Sequence, residues 1–229
     1  MVLKNQIEKH GVPNIRSGIA MFLPIEILFS TLRRIKGFSV DLRRRKENIL
    51  QALEIMDNRI CEKGCKAIEN FEEKESDVFA AGVIMLAHTV LNFRQFEKYY
   101  WPTLKKYIDA TVRADKLGMI FTEGSMEHLI EFFREIPKGH FLLVVELDDI
   151  RKLRTALPNL SFAGGYPSQL LGHGTMQECI DYAKRMIDEI GNDGRLIITT
   201  DKMLAFRNDA KRENLEAVNN FIREYGVYK

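Results

Sequence analysis

The sequence predicts an α/β fold of the (β/α)8 TIM-barrel type, in which parallel strands alternate with helices. Three observations support this prediction: short apolar runs alternate with amphipathic segments, the runs carry charge only at their ends, and polar residues directly follow most of them. Strands buried in a parallel sheet have such uninterrupted apolar sequences. In a (β/α) barrel, the polar residues that follow the strands line the mouth where the chemistry takes place.

Six apolar runs are predicted to be strands. The clearest is His140–Leu147 (HFLLVVEL), which is rich in β-branched and aromatic residues. A complete eight-stranded barrel usually needs ~250 residues. Six strands in 229 residues therefore indicate either an incomplete barrel or two further strands with a weaker pattern. The other predicted strands are Gly18–Leu23, Val78–Met85, Leu117–Phe121, Leu160–Ala163 and Arg195–Thr200.

The segments between these runs have the apolar spacing of helices. Thr175, with Glu178 three residues later, fits a capping box, so a helix is expected to begin there. Ser125 is expected to cap another helix in the same region of the chain. No linker or repeat is apparent, so residues 1–229 are predicted to form one domain. The predicted helices are 47–69, Phe93–Ala114 with an interruption near Trp101-Pro102, Met126–Arg134, Ile150–Leu157, Met176–Ile190 and Lys211–Tyr225.

Composition excludes several classes of protein. The 34 basic and 32 acidic residues give a net charge of +2, which provides no bulk attraction to nucleic acid or to anionic lipid. No apolar stretch is long enough to span ~30 Å of hydrocarbon, and the first residues do not resemble a secretory signal. Three cysteines are too few for a disulfide framework, so we expect reduced thiols and a cytoplasmic location. No GxGxxG motif follows the first strand, which disfavours dinucleotide binding.

Four acidic residues follow three of the predicted strands and are candidates for an active site: Glu123, Glu146, Asp148 and Asp201. Carboxylates held close together raise one another's pKa, so such a group either binds a cation or keeps a proton for general acid catalysis. Acidic residues also favour helix N-termini, which is the structural alternative. We take Glu123, Glu146 and Asp201 as the predicted catalytic residues.

Two glycine-containing loops, at 164–168 and 172–175, flank a very short apolar segment. Loops after the last two strands of a barrel often bind phosphate or carboxylate at a helix N-terminus. The alternative is that the glycines only provide tight turns and Thr175 only caps a helix. Cys61 and Cys65 are four residues apart on a predicted helix, but no histidine or second cysteine pair is nearby, so no metal site is predicted. The predicted substrate-binding residues are Gly164, Gly165, Tyr166, His173 and Thr175.

From about residue 90 onward, the order of motifs resembles the uroporphyrinogen decarboxylase (URO-D) family, which also contains the methylcobamide methyltransferases. The resemblance implies a (β/α)8 barrel whose third to eighth strands are present here and whose first two are missing. The matching segments are FRQFEKYYWPTLKKYI (93–108), MIFTEG (119–124), REIPKG (134–139), VELDDIRKL (145–153), GGYPSQLLGHGT (164–175), CIDYAKRMIDEIG (179–191), KRENLEAV (211–218) and EYGVY (224–228).

The resemblance implies three alternative functions. The first is decarboxylation of a tetrapyrrole in porphyrin biosynthesis, a lyase reaction without a cofactor. The second is methyl transfer that depends on a corrinoid or a divalent metal. The third is a non-catalytic subunit whose missing strands come from a partner chain. An open six-stranded sheet would leave edge backbone groups and apolar faces exposed, so a homodimer or a complex with another chain is expected. The zinc-binding cysteines of the methyltransferases have no counterpart here, since their fifth strand corresponds to Phe121-Thr122-Glu123 and no cysteine follows the last strand.

Overall fold

A computed structural model describes residues 14–72 and 77–227, apart from the side chains of residues 14–17 and 77–78. Its centre is a six-stranded sheet in which every strand runs parallel to its neighbours. The order of the strands in the sheet is their order along the chain, as in the wall of a (β/α) barrel. The strands are β1 (Asn14–Met21), β2 (Asp77–Met85), β3 (Gly118–Thr122), β4 (Phe141–Val145), β5 (Ser161–Tyr166) and β6 (Leu196–Thr200).

The structure confirms the predicted α/β fold with parallel strands. Each of the six predicted strands overlaps an observed strand, and the described residues contain no further strand, which is consistent with an incomplete barrel. The strand predicted as His140–Leu147 ends earlier, at Val145. Val145 is the last residue of β4 that pairs with β3 and β5, and the Glu146 side chain after it accepts from the backbone N–H of Gly124.

Helices connect successive strands. The predicted helix at 47–69 is continuous through a π-helical turn at Asp57–Cys61, and the one at Phe93–Ala114 through a π-helical turn at Phe96–Tyr100. The second of these turns directly precedes Trp101-Pro102, where proline cannot donate a backbone hydrogen bond. The helices are α1 (Pro24–Glu26), α2 (Arg34–Arg44), α3 (Lys46–Met56), α4 (Glu62–Glu69), α5 (Phe93–Gln95), α6 (Trp101–Arg113), α7 (Ile130–Phe133), α8 (Ile150–Ala156), α9 (Ser168–His173), α10 (Met176–Met186) and α11 (Arg212–Tyr225).

Three of these helices, α1, α2 and α9, were not predicted. Ser125 precedes a 3₁₀ turn rather than the α-helix itself: its hydroxyl accepts from the backbone N–H of Glu127 at 3.5 Å and donates to the carboxylate of Asp148. A 3₁₀ turn at Glu127–Leu129 precedes α7, so the helix begins later than predicted. Within the described ranges, no helix is both long and apolar enough to cross a lipid bilayer.

The two faces of the sheet differ in how well they are covered. The face formed by Val83, Ile120, Leu143 and Phe162 packs into the main core, where the helices contribute the remaining apolar side chains. The opposite face, which we call the inner face, carries a smaller cluster of four buried side chains with partly buried ones around it, and Ile84 on this face is 54% exposed. A closed barrel fills this face with layers of side chains. Residues of the smaller cluster are Phe79, Met119, Leu142 and Ala163, with Phe121, Val144 and Ile197 packed against them.

Candidate functional site

A cleft of about 500 Å³ opens on the inner face at the carboxyl ends of β3, β4 and β6. Its floor is apolar and its rim is polar, as expected for a small-molecule site in a barrel. The predicted catalytic residues Glu123, Glu146 and Asp201 all line this cleft. The other residues that line it are Met119, Phe121, Thr122, Leu142, Val144, Val145, Ala163, Ile197, Thr199, Thr200, Lys202 and Met203.

Glu123 is exposed and follows β3 directly. Its backbone N–H donates to the carbonyl oxygen of Met85 at 3.1 Å, which fixes the main chain beside β2. Its carboxylate makes no hydrogen bond or ion pair with any residue that the structure describes. Glu123 therefore offers a negative charge at the rim that no described residue neutralises.

Glu146 links three strands at the rim. Its Oε2 accepts a hydrogen bond from the backbone N–H of Gly124 at 2.9 Å, and its Oε1 lies 3.4 Å from Nζ of Lys202. The Glu146 side chain is 29% exposed and that of Lys202 is 56% exposed, so this ion pair lies at the edge of the solvent. The pair holds the turn after β3 and the loop after β6 against the end of β4.

Asp201 and Asp148 both position main-chain segments. Oδ1 of Asp201 accepts from the backbone N–H of Ser168 at 2.9 Å, at the start of α9, although Asp201 also lines the cleft. Asp148 is buried and accepts from the backbone N–H of Met126 at 2.7 Å and from the Ser125 hydroxyl. Asp148 is not among the cleft residues, so its contacts correspond to the structural alternative.

The five predicted substrate-binding residues do not line the cleft. Gly164 and Gly165 have φ angles of 104° and 74° at the end of β5, where the chain packs against the backbone of Val145 and the side chain of Ile150. Tyr166 is buried and donates to the carbonyl oxygen of Cys179 at 2.8 Å, and burial raises its pKa. Their role in substrate binding stays a prediction.

His173 and Thr175 lie where α9 ends and α10 begins. His173 is exposed at the end of α9. Thr175 forms the predicted capping box: its hydroxyl accepts from the backbone N–H of Glu178 at 3.3 Å, and Glu178 accepts from the N–H of Thr175 at 2.8 Å. The capping box is thus confirmed as a feature of the helix, and binding by His173 and Thr175 also stays a prediction.

Sequence reasoning missed Glu26, whose charge interacts with that of Glu123 at the rim of the cleft. Its carboxylate accepts from the backbone N–H groups of Leu86 and Ala87 and from the Tyr100 hydroxyl, at 2.6–3.0 Å. Burial raises the pKa of Glu26, these three donors oppose the rise, and the negative charge of Glu123 adds to it. A single glutamate inside the apolar run FLPIEILF was the only signal in the sequence.

His88 was also missed. It is fully buried in the 3₁₀ turn after β2, and neither ring nitrogen makes a hydrogen bond within the described part of the chain. Burial, followed by the charge of His128, lowers its pKa to about 4, against a smaller opposing effect of the Ser125 and Met85 backbone. His88 is therefore neutral at neutral pH.

The zinc site of the methyltransferases does not fit these residues. Zinc that activates a thiol is normally held by cysteine and histidine ligands. Residues 14–72 and 77–227 contain no group of three or more His, Cys, Asp or Glu side chains placed to hold a metal ion. The cleft instead offers carboxylates and one ammonium group, which can bind and orient a charged small molecule.

Comparison with known proteins supports the fold and finds one similar structure with a named activity. No protein-family model matches the chain, and no curated protein sequence matches it. Among solved structures, it is similar to a methyltransferase from Methanosarcina mazei, with a TM-score of 0.68 and 18% sequence identity. The match covers 98% of this chain and 63% of that enzyme, so this chain spans less than two thirds of its length. At this identity, the likeness shows that the two chains share a fold.

Proposed function

We propose that the chain is a methyltransferase-like barrel protein whose cleft binds a small molecule carrying a methylated, positively charged group. The similar solved structure is a methyltransferase, which favours this interpretation over tetrapyrrole decarboxylation. The observation that carries the proposal is the unneutralised carboxylate of Glu123 above an apolar floor.

The charges of the cleft favour a cationic ligand. Three carboxylates and one ammonium group line it, and the ammonium of Lys202 is already paired with Glu146. Asp201 accepts a backbone hydrogen bond, which leaves Glu123 as the carboxylate with capacity for a new ion pair. The apolar floor, including the ring of Phe121, suits methyl groups and attracts a cation.

The same arrangement suits the chemistry of methyl transfer. When a methyl group leaves a positively charged nitrogen, the carbon–nitrogen bond breaks and its electron pair stays on the nitrogen. An acceptor supplies the pair for the new bond. This chain's part is to hold the cation at Glu123 and to keep the methyl groups against the apolar floor. A corrinoid acceptor stays a prediction, and no step is assigned to a metal.

The decarboxylase alternative has less support. A uroporphyrinogen-like substrate carries many carboxylates and needs cationic or hydrogen-bonding groups to stabilise the charge that develops. Lys202 is the one cationic side chain among the described residues that line the cleft, and it is already paired. Incubation of the purified protein with uroporphyrinogen is therefore expected to give no coproporphyrinogen above background, and formation of that product would favour the decarboxylase.

A pair of probes of the same shape tests the binding proposal directly. Choline carries a trimethylammonium group, and 3,3-dimethyl-1-butanol has the same shape without the charge. We expect calorimetry to show tighter binding of choline, by ~1 kcal/mol or roughly fivefold, because one exposed ion pair contributes about this much. Equal binding of the two probes, or binding of neither, would overturn the proposal.

A further inference from the structure

One helical face outside the cleft carries four acidic or thiol side chains at four-residue spacing: Asp57, Cys61, Cys65 and Glu69. They lie on the continuous helix made of α3, the π-helical turn and α4, which packs along α6. Asp57 and Glu69 are already neutralised by ion pairs with α6. Lys106 binds Asp57, and Arg113 lies 2.7 Å from Glu69.

The two thiols between these ion pairs are in contact. Their sulfur atoms lie 3.9 Å apart, and both cysteines are free. Cys61 is fully buried, whereas Cys65 is partly exposed, so a ligand can approach from the Cys65 side. Carbonyl oxygens of α6 lie close to both, that of Thr103 at 4.0 Å from Cys61 Sγ and that of Lys106 at 3.7 Å from Cys65 Sγ.

The separation of the sulfurs fits chelation better than a disulfide. Residues four apart on a helix have Cβ atoms ~5–6 Å apart, whereas a disulfide needs ~3.5–4.5 Å. Two thiolates on one tetrahedral zinc, with Zn–S bonds of ~2.3 Å, lie about 3.8 Å apart. The observed 3.9 Å meets this requirement without unwinding of the helix.

We propose that Cys61 and Cys65 form a two-thiolate site for a thiophilic divalent cation such as Zn²⁺ or Cd²⁺. Binding forms two metal–sulfur bonds and releases the thiol protons to solvent, so the two thiolates balance the charge of the cation. Water completes the coordination at the Cys65 side. The site shares no residue with the cleft and does not depend on the proposed function.

Titration of the purified full chain with Cd²⁺ tests this site. Ultraviolet absorption of the cadmium–thiolate bond gives the stoichiometry, and calorimetry in buffers of different ionisation enthalpy counts the released protons. We expect one ion per chain with release of one to two protons. Cys65→Ser and Cys61→Ser are each expected to bind at least about tenfold more weakly, since one thiolate cannot chelate.

Cys179→Ser is the matched control, because Cys179 is also a buried free thiol but lies on α10, with its sulfur 3.3 Å from the carbonyl oxygen of Leu170. This variant should bind Cd²⁺ as the unchanged protein does. Because Cys61 is buried, Cys65→Ala with an intact circular dichroism spectrum serves if Cys61→Ser does not fold. Binding that survives Cys65→Ala, or rapid formation of a Cys61–Cys65 disulfide with a mild thiol oxidant, would overturn the proposal.

Discussion

Glu123 and Glu146 occupy equivalent positions after neighbouring strands, yet their carboxylates are used differently. Thr122 and Val145, the residues before them, are partners in the register of β3 and β4. Glu146 is held by Gly124 and Lys202, while Glu123 has no partner among the described residues. Glu146 therefore shapes the rim, and Glu123 is available to a ligand.

Glu123→Gln separates a binding role from a structural one. We expect choline binding to weaken by about fivefold. The free energy of unfolding should stay equal or rise by up to ~1 kcal/mol, because the repulsion between Glu123 and Glu26 is removed. Chemical denaturation and calorimetry measure both effects. Glu135→Gln, an exposed change before β4, should alter neither quantity. A destabilised Glu123→Gln with unchanged binding would contradict the functional assignment.

His88 predicts a dependence of stability on pH. Its pKa in the folded protein is about 4, against 6.5 ordinarily, so between these values the unfolded chain binds more protons. The stability contributed by neutral His88 is present above pH 6.5 and is lost as the pH falls towards 4. The linkage between proton binding and folding predicts that the free energy of unfolding falls by about 2 kcal/mol between pH 7 and pH 5.

Urea unfolding at these two pH values tests this prediction. His88→Gln should show a pH-dependent loss smaller by that amount, because glutamine does not titrate. His173→Gln changes an exposed histidine instead and should keep the full dependence. An unchanged loss in His88→Gln would assign the pH dependence to other groups.

The sequence predicted three of the acids that gather at the cleft, because the carboxyl ends of parallel strands meet at one edge of a sheet, but the fourth candidate, Asp148, does not line it. It did not predict which acid would be free. That distinction depends on Lys202 and Gly124, which come from other loops and reach Glu146 only in the folded chain. Glu26 and His88 were missed for the same reason, since only burial makes their chemistry unusual.

At the scale of elements, the close approach of β4 and β5 requires a glycine. Gly164 has a φ angle of 104°, and a Cβ at this position would overlap the carbonyl oxygen of Val145. Gly139 has a similar φ of 95°, but nothing lies within 4 Å of the place where its Cβ would be. A side chain at Gly139 would therefore meet only an unfavourable φ angle, whereas one at Gly164 would also overlap a backbone atom.

Alanine substitutions at these two glycines measure that difference. We expect Gly139→Ala to cost ~1 kcal/mol of unfolding free energy, from the unfavourable φ alone. Gly164→Ala should cost at least ~2 kcal/mol more, because the backbone oxygen cannot move aside. Urea denaturation gives both values, and an equal loss in the two variants would show that β4 and β5 can separate at little cost.

Strands were easier to predict than short helices. Apolar runs such as FLLVV identify a buried strand from composition alone. Helix α9 has six residues, too few to show a helical period, and α2 contains a central glycine and many charges. The start of α7 was predicted too early because a 3₁₀ turn at Glu127–Leu129 precedes the α-helix.

At the scale of the whole molecule, the sheet is open. Strands β1 and β6 each pair on one side only among the described residues, and the inner face keeps partly exposed apolar side chains. Exposed sheet edges and apolar faces promote association. We therefore expect the isolated chain to associate with a second copy through the inner face, and a monodisperse monomer in light scattering at micromolar concentration would contradict this.

Two isoleucine variants locate that contact. Ile84 lies on the inner face and is 54% exposed, whereas Ile55 lies on α3 and is 56% exposed. Ile84→Lys should shift the light-scattering mass towards the monomer, because a charge cannot be buried there without a partner. Ile55→Lys should leave the mass unchanged. If Ile55→Lys has the larger effect, the contact lies on the helices.

The sequential order of the strands also bears on how the protein can be made. Because each strand pairs with the one synthesised just before it, the sheet can grow from β1 to β6 while the ribosome is still working. Each pairing closes only the connection between two consecutive strands, and the longest of these connections runs from Met21 to Asp77. At each stage the strand added last has one edge without a partner strand. The backbone groups on that edge can pair with a further parallel strand from another polypeptide.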